Sequence, residues 1–147
     1  MRGDDASPGP GWVKILLPEP GYHETVWAWR VDDALYEIRS VPWFFYGVNH
    51  LDVVEAVENA AGQLEVVRVA RPSGHRTYRL IVADEHVDEA TIRAQRIRAA
   101  GGLVERFNDV FWAVDVPPGA LNACVPLIEG GEADGIWEPE DATDPDA

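Results

Sequence analysis

The chain has 147 residues, 46% of them hydrophobic, with six tryptophans and a formal net charge of −14. That length and apolar content allow one compact domain or two small intertwined ones, and they argue against global disorder. The charge disfavours nonspecific binding to nucleic acid or an anionic membrane, because a phosphate field repels it, and it fits a basic protein partner.

The charge is uneven. From Glu129 onward there are eight acids and no Lys or Arg, two acids and Arg2 precede Trp12, and the body between carries 16 acids against 11 bases. Cys124 is the single cysteine, so neither an intramolecular disulfide nor a Cys-rich zinc site is expected. There is no charged-then-apolar leader and no apolar run near about 18 residues, so the cytosol is the expected compartment.

In chain order, residues 1–11 read as a flexible arm rich in Pro, Gly and Asp, in which Arg2-Gly3-Asp4 has no signal to support an adhesive role. Short strands follow in a β-rich half spanning 12–75. Trp12–Leu17 stops at Pro18-Glu19-Pro20-Gly21, and Thr25–Val31 alternates, with Val26 and Ala28 on one face and Trp27 and Trp29 on the other. Asp32-Asp33 is the expected turn into Leu35–Arg39. Phe44–Tyr46 reads as a further strand or bulge. Leu51–Val57 and Leu64–Ala70 pair across a turn ending in Gly62, and Thr77–Ala83 returns after Arg71-Pro72-Ser73-Gly74 as the second arm of a hairpin. Many short strands at close spacing suggest a barrel-like sheet.

The second half, 76–138, changes period. Val87, Ala90, Ala94, Ile97 and Gly101 form one apolar stripe of a helix over 86–101, with Asp84 placed to cap it and Gly101-Gly102 to end it. Leu103–Phe107 and Val110–Val116 form a hairpin. A second helix over about 119–129 contains Pro126 and is expected to break at Gly130-Gly131. Ile136-Trp137 closes the series as a short strand, and 139–147 reads as a disordered acidic tail. The fold class is therefore α+β: a β-rich, barrel-like N-terminal half packed on a ferredoxin-like βαββαβ C-terminal half.

No catalytic constellation stands out. Ser73-Gly74-His75 lacks the G-x-S-x-G context of a nucleophile elbow. His23, His50, His75 and His86 show no metal-binding spacing, so no metal and no cofactor are expected; ligands contributed from separate loops by His23-Glu24 and by His50 with Asp52 are the exception left open. RNA is disfavoured by the acidity and by the absence of an aromatic RNA-binding motif on the strands. DNA and membrane are excluded on charge. Ser73–Arg79 and the aromatic run Pro42-Trp43-Phe44-Phe45-Tyr46-Gly47 offer Tyr46, Asp52, His75 and Arg79 as partner-binding candidates, with Asp52 also read as a structural hydrogen-bonding acid. Asp84, Glu85, Asp88 and Glu89 crowd the first helix's start and offer a focused negative field.

The aromatic-Tyr-Gly turn leading to Asp52-Val53-Val54-Glu55, followed by Ser73-Gly74-His75-Arg76-Thr77-Tyr78-Arg79, resembles the bacterial family catalogued as domain of unknown function 4265, over roughly residues 23–140. The resemblance implies no chemistry. The sequence is best read as a non-enzymatic cytosolic protein-binding module, an acidic inhibitor of the immunity or antitoxin type acting on a basic protein. The alternative is a small-ligand-binding regulatory domain, which requires an apolar pocket with converging polar groups between the halves.

Overall fold

The computed structural model describes residues 10–144; most of the expected N-terminal arm, and residues 145–147, lie outside them. Among the described residues nine strands form two sheets, with two α-helices.

The first five strands are β1 (Trp12–Glu19), β2 (Tyr22–Asp32), β3 (Leu35–Ile38), β4 (Val53–Glu58) and β5 (Leu64–Arg71), and they close into a barrel in chain order. Neighbours are antiparallel except at the closure, where β5 runs parallel to β1 at Ile15↔Leu64 and Leu16↔Glu65. Alternate residues fill the barrel: Ile15, Leu17, Val26, Ala28, Tyr36, Ile38, Val54 and Ala56. Trp27 and Trp29 face outward, and Trp29 meets Trp12 edge to face at 5.4 Å. The β2–β3 turn falls one residue later than expected, at Asp33-Ala34, with Ala34 at φ 57°.

The second sheet holds β6 (Arg76–Val82), β7 (Leu103–Arg106), β8 (Phe111–Val116) and β9 (Trp137–Asp141), in the order β7-β8-β6-β9 with all neighbours antiparallel. Helices α1 (Val87–Ala99) and α2 (Leu121–Ala133) cover one face. There Tyr78, Leu80, Val82, Trp112, Val114 and Val116 pack against Ala90, Ala94, Ile97, Cys124 and Ile128. Strand alternation sends Thr77, Arg79, Ile81, Phe111, Ala113 and Asp115 to the opposite face. That face receives the segment between β3 and β4, where Val41 and Trp43 pack on Ala113.

Several expectations are corrected. β5 and β6 are not arms of one hairpin and share no sheet; Gly74, at φ +85°, and capture of the Ser73 N–H by Asp52 redirect the chain between them. Residues 44–46 form no strand: the backbone N–H and carbonyl groups of Phe44 and Phe45 are taken by side chains. Asp84 does not cap α1: it opens a single 3₁₀ turn, Asp84–His86, and no side chain caps the helix. Gly130-Gly131 does not break α2. The helix passes through both, and a Cβ on Gly131 would lie 2.2 Å from Cε2 of Trp137, so the glycine makes room for the indole.

The acidic tail is corrected as far as it is described. Residues 139–141 belong to β9, which pairs with β6. Ala142 is fully buried, its N–H donates to the Thr77 carbonyl, and its carbonyl accepts from Gly47 N–H. Pairing on an open sheet edge outweighs the segment's charge.

Candidate functional site

Two arrangements lie on the face of the second sheet turned away from the helices, and a third stands at the start of α1. The first is a clamp. Glu24, buried on β2, accepts backbone N–H groups from Trp43, Phe44 and Phe45, the last two at 3.0 Å. Arg79, 3% exposed on β6, donates to the carbonyls of Pro42, Phe44 and Phe45. Its guanidinium also lies 5.0 Å from the ring centre of Tyr46. Arg79 therefore holds the aromatic segment in place, and its donors point inward rather than at solvent.

The clamp shapes an aromatic groove. Phe44 stacks on Phe111 at 5.5 Å and 9°, Phe107 meets both edge-on, and Trp43 lies beside them. With Tyr46, Ile81, Asn108 and Glu140 these rings line a cavity of about 450 Å³. Tyr46 donates its hydroxyl to Glu140 at 2.6 Å. That bond, burial and the Glu140 charge hold the phenol above its ordinary range, with Arg79 pulling the other way. Ile81, 51% exposed, also borders a second cavity, lined with Glu132, Trp137 and Glu138.

The second arrangement is a cluster that the sequence did not disclose. Asp115, 2% exposed on β8, takes His75 Nδ1 at 2.9 Å and His50 Nδ1 at 3.1 Å on its two carboxylate oxygens. The imidazole rings stand perpendicular, 5.4 Å apart. The loops carrying them are braced. Asp52 accepts the N–H groups of Asn49 and Ser73, both at 2.8 Å, and Ser73 donates its hydroxyl to the His50 carbonyl at 2.7 Å. The Ser73 proton thus goes to backbone, not to an imidazole, and His75 N–H donates back to Ser73 Oγ; this geometry is that of a turn rather than of an activated nucleophile. Beside His75 lies a cavity of about 320 Å³ that also meets Asn49, Asp52, Arg76 and Thr143.

The third is the acidic start of α1. Asp84, Glu85 and Asp88 are exposed, whereas Glu89 is engaged by Arg93 at 3.1 Å, which also reaches Asp134. Of the eight residues singled out from the sequence, Tyr46 and Arg79 share the groove, Asp52 and His75 share the cluster's loops, Asp84 and Glu85 sit in the 3₁₀ turn before α1, and Asp88 and Glu89 in its first turn. Missed were Glu24 as an acceptor for the 43–45 backbone, which the sequence offers only as a loop ligand beside His23, His50 as a partner of His75, and Asp115. Asp115 lies in an alternating strand, where its position on a covered face gave the one available signal: a charged residue inside an apolar run.

Among the described residues no helix is long and apolar enough to cross a membrane. A family model described as "Domain of unknown function (DUF4265)" matches residues 24–138. The fold is also that of a crystal structure of a hypothetical protein from Neisseria gonorrhoeae, at TM-score 0.74 and 17% identity, covering 91% of this chain and 94% of that one. Among curated proteins none matches.

Proposed function

The chain belongs to the DUF4265 family, a domain of unknown function, and we propose that it is a non-enzymatic cytoplasmic binding module that takes a basic segment of a protein partner along the groove at Ile81. One observation carries this reading. A half-exposed aliphatic side chain sits between an aromatic cavity and an acid-lined one, with Glu132, Glu138 and Glu140 at the border. Lys and Arg suit such a surface, because their stems cover apolar carbon while their heads meet carboxylates or ring faces. The exposed acids Asp84, Glu85 and Asp88 extend the field and would steer the encounter, as an immunity-type inhibitor of a basic protein requires.

The finer fold belongs to the same proposal. The βαββαβ order with strands in the sequence β7-β8-β6-β9 supports reading the C-terminal half as ferredoxin-like.

A second reading has its own support. The aromatic cavity lies between the barrel's 42–46 segment and the sheet and presents Tyr46, Asn108 and Glu140. An apolar pocket with a few polar groups between two halves suits a small ligand in a regulatory module.

Kinetics with a purified partner separates the two. A basic partner's association rate should fall steeply with salt while dissociation changes little. Asp84, Glu85 and Asp88 changed to their amides should slow association, and Ile81→Asp should speed dissociation. Salt-independent association, or indifference to Ile81→Asp, would reject the groove reading; retention of a metabolite instead of a protein would favour the sensor.

A further inference from the structure

The cluster of His50, His75 and Asp115 lies at the seam between barrel and sheet and takes no part in the groove. Its donor atoms all lie within 4.8 Å of one another. Each comes from a different element: the loop before β4, the loop before β6, and β8.

The carboxylate is the reason to look further. Asp115 is 2% exposed, and among the described residues its ion-pair partners are these two imidazoles, with no Lys or Arg. Taking a carboxylate out of water costs several kcal/mol unless countercharge is supplied, roughly as for any buried ion. The imidazoles supply hydrogen bonds through Nδ1. A divalent cation would supply charge and satisfy all three groups at once.

The spacing fits such an ion. Ligands about 2.0–2.1 Å from a zinc ion sit about 3.3 Å apart in a tetrahedron and about 2.9 Å apart at adjacent octahedral positions. His75 Nδ1 lies 2.9 and 3.2 Å from the two Asp115 oxygens and His50 Nδ1 lies 3.1 Å from one of them, so each imidazole–carboxylate pair falls in that range, and all the donor atoms lie within 4.8 Å of one another. The loops are held as a metal site requires. Asp52 and Ser73 tie the two histidine loops together, and Leu51, next to His50, sits at φ 68°, a costly conformation for a non-glycine residue. Such outer hydrogen bonds fix ligand direction in metal sites.

We propose that His50 Nδ1, His75 Nδ1 and the Asp115 carboxylate form a three-ligand site for a divalent transition-metal ion of the zinc class. Two borderline imidazole donors beside one hard carboxylate suit zinc better than calcium or magnesium, which prefer all-oxygen ligand sets. Three protein ligands leave a position for water or a ligand atom.

The test uses the full chain, stripped by chelator and dialysed, then titrated with Co2+ and with Zn2+. One ion per chain should bind. Co2+ should give the visible absorption of a low-coordinate site, and Zn2+ should displace it and raise the melting temperature. His50→Gln and His75→Gln should each weaken binding by roughly a hundredfold or more, whereas His23→Gln and His86→Gln, outside the cluster, should leave it unchanged. Should the cluster variants fail to fold, X-ray absorption of the zinc-loaded wild type must report only nitrogen and oxygen donors, including two imidazoles. Binding below one ion per chain, binding indifferent to both cluster variants, or a donor set lacking two imidazoles would overturn the site and leave a hydrogen-bonded His–Asp–His seam.

Discussion

Glu24 and Arg79 grip the same short segment from opposite sides. The carboxylate of Glu24 accepts the N–H groups of Trp43, Phe44 and Phe45, and the guanidinium of Arg79 donates to the carbonyls of Pro42, Phe44 and Phe45. One residue comes from the barrel and the other from the second sheet. The stretch is thereby fixed as an irregular wall of the groove, with the backbone groups these two side chains reach satisfied.

Arg79→Met should therefore destabilise by about 3 kcal/mol or more, because buried carbonyls lose charge-assisted donors. Urea unfolding measures the loss, and near-ultraviolet circular dichroism should change as the Trp43 environment loosens. An unchanged midpoint would mean that aromatic packing alone holds the segment.

Trp112 is fully buried between helices and sheet, with the Arg106 guanidinium 4.2 Å from its ring centre. Trp112→Ala should cost roughly 3–5 kcal/mol in chemical unfolding. A near-neutral result would contradict its place in the core.

Ending the chain after Asp141 removes the fully buried Ala142, its exchange of hydrogen bonds with Thr77 and Gly47, and the bond from Asn49 to the Thr143 carbonyl. The melting temperature should fall by more than about 5 °C, on the order of 1 kcal/mol for a domain of this size. A shift within error would show that the docking contributes nothing.

Asp141 carries a pH dependence. Burial pushes its carboxyl up, but the hydroxyl and N–H of Thr143 and the Arg76 guanidinium outweigh that and hold it below the ordinary range. A carboxyl depressed in the folded state adds stability above its unfolded value, and that stability is lost as pH falls through the folded value. Wild-type stability should therefore drop in the acid range below ordinary carboxylate titration, and Asp141→Asn should lower stability at neutral pH while flattening that drop. Parallel acid profiles for the two proteins would refute the assignment.

What the sequence determined by itself is the local part of the molecule. The stripe Val87, Ala90, Ala94 and Ile97 specifies α1, and the alternation around Trp112 specifies β8, because a helix period and a strand period are written within a few neighbouring residues. The family resemblance was legible for the same reason, in contiguous runs around Tyr46 and His75. Tertiary structure alone decided the rest. Glu24 and Arg79 converge on one segment from distant strands, and His50 and His75 meet on Asp115 from separate loops. Gly131 reads as a helix breaker until Trp137 is seen to lie against it. The acids of β9 read as a solvated tail, yet pairing with the edge of β6 docks them. Periodicity reports which face of an element is apolar, but it holds no information about which distant backbone or carboxylate will cover that face, and that choice places the groove and the histidine cluster.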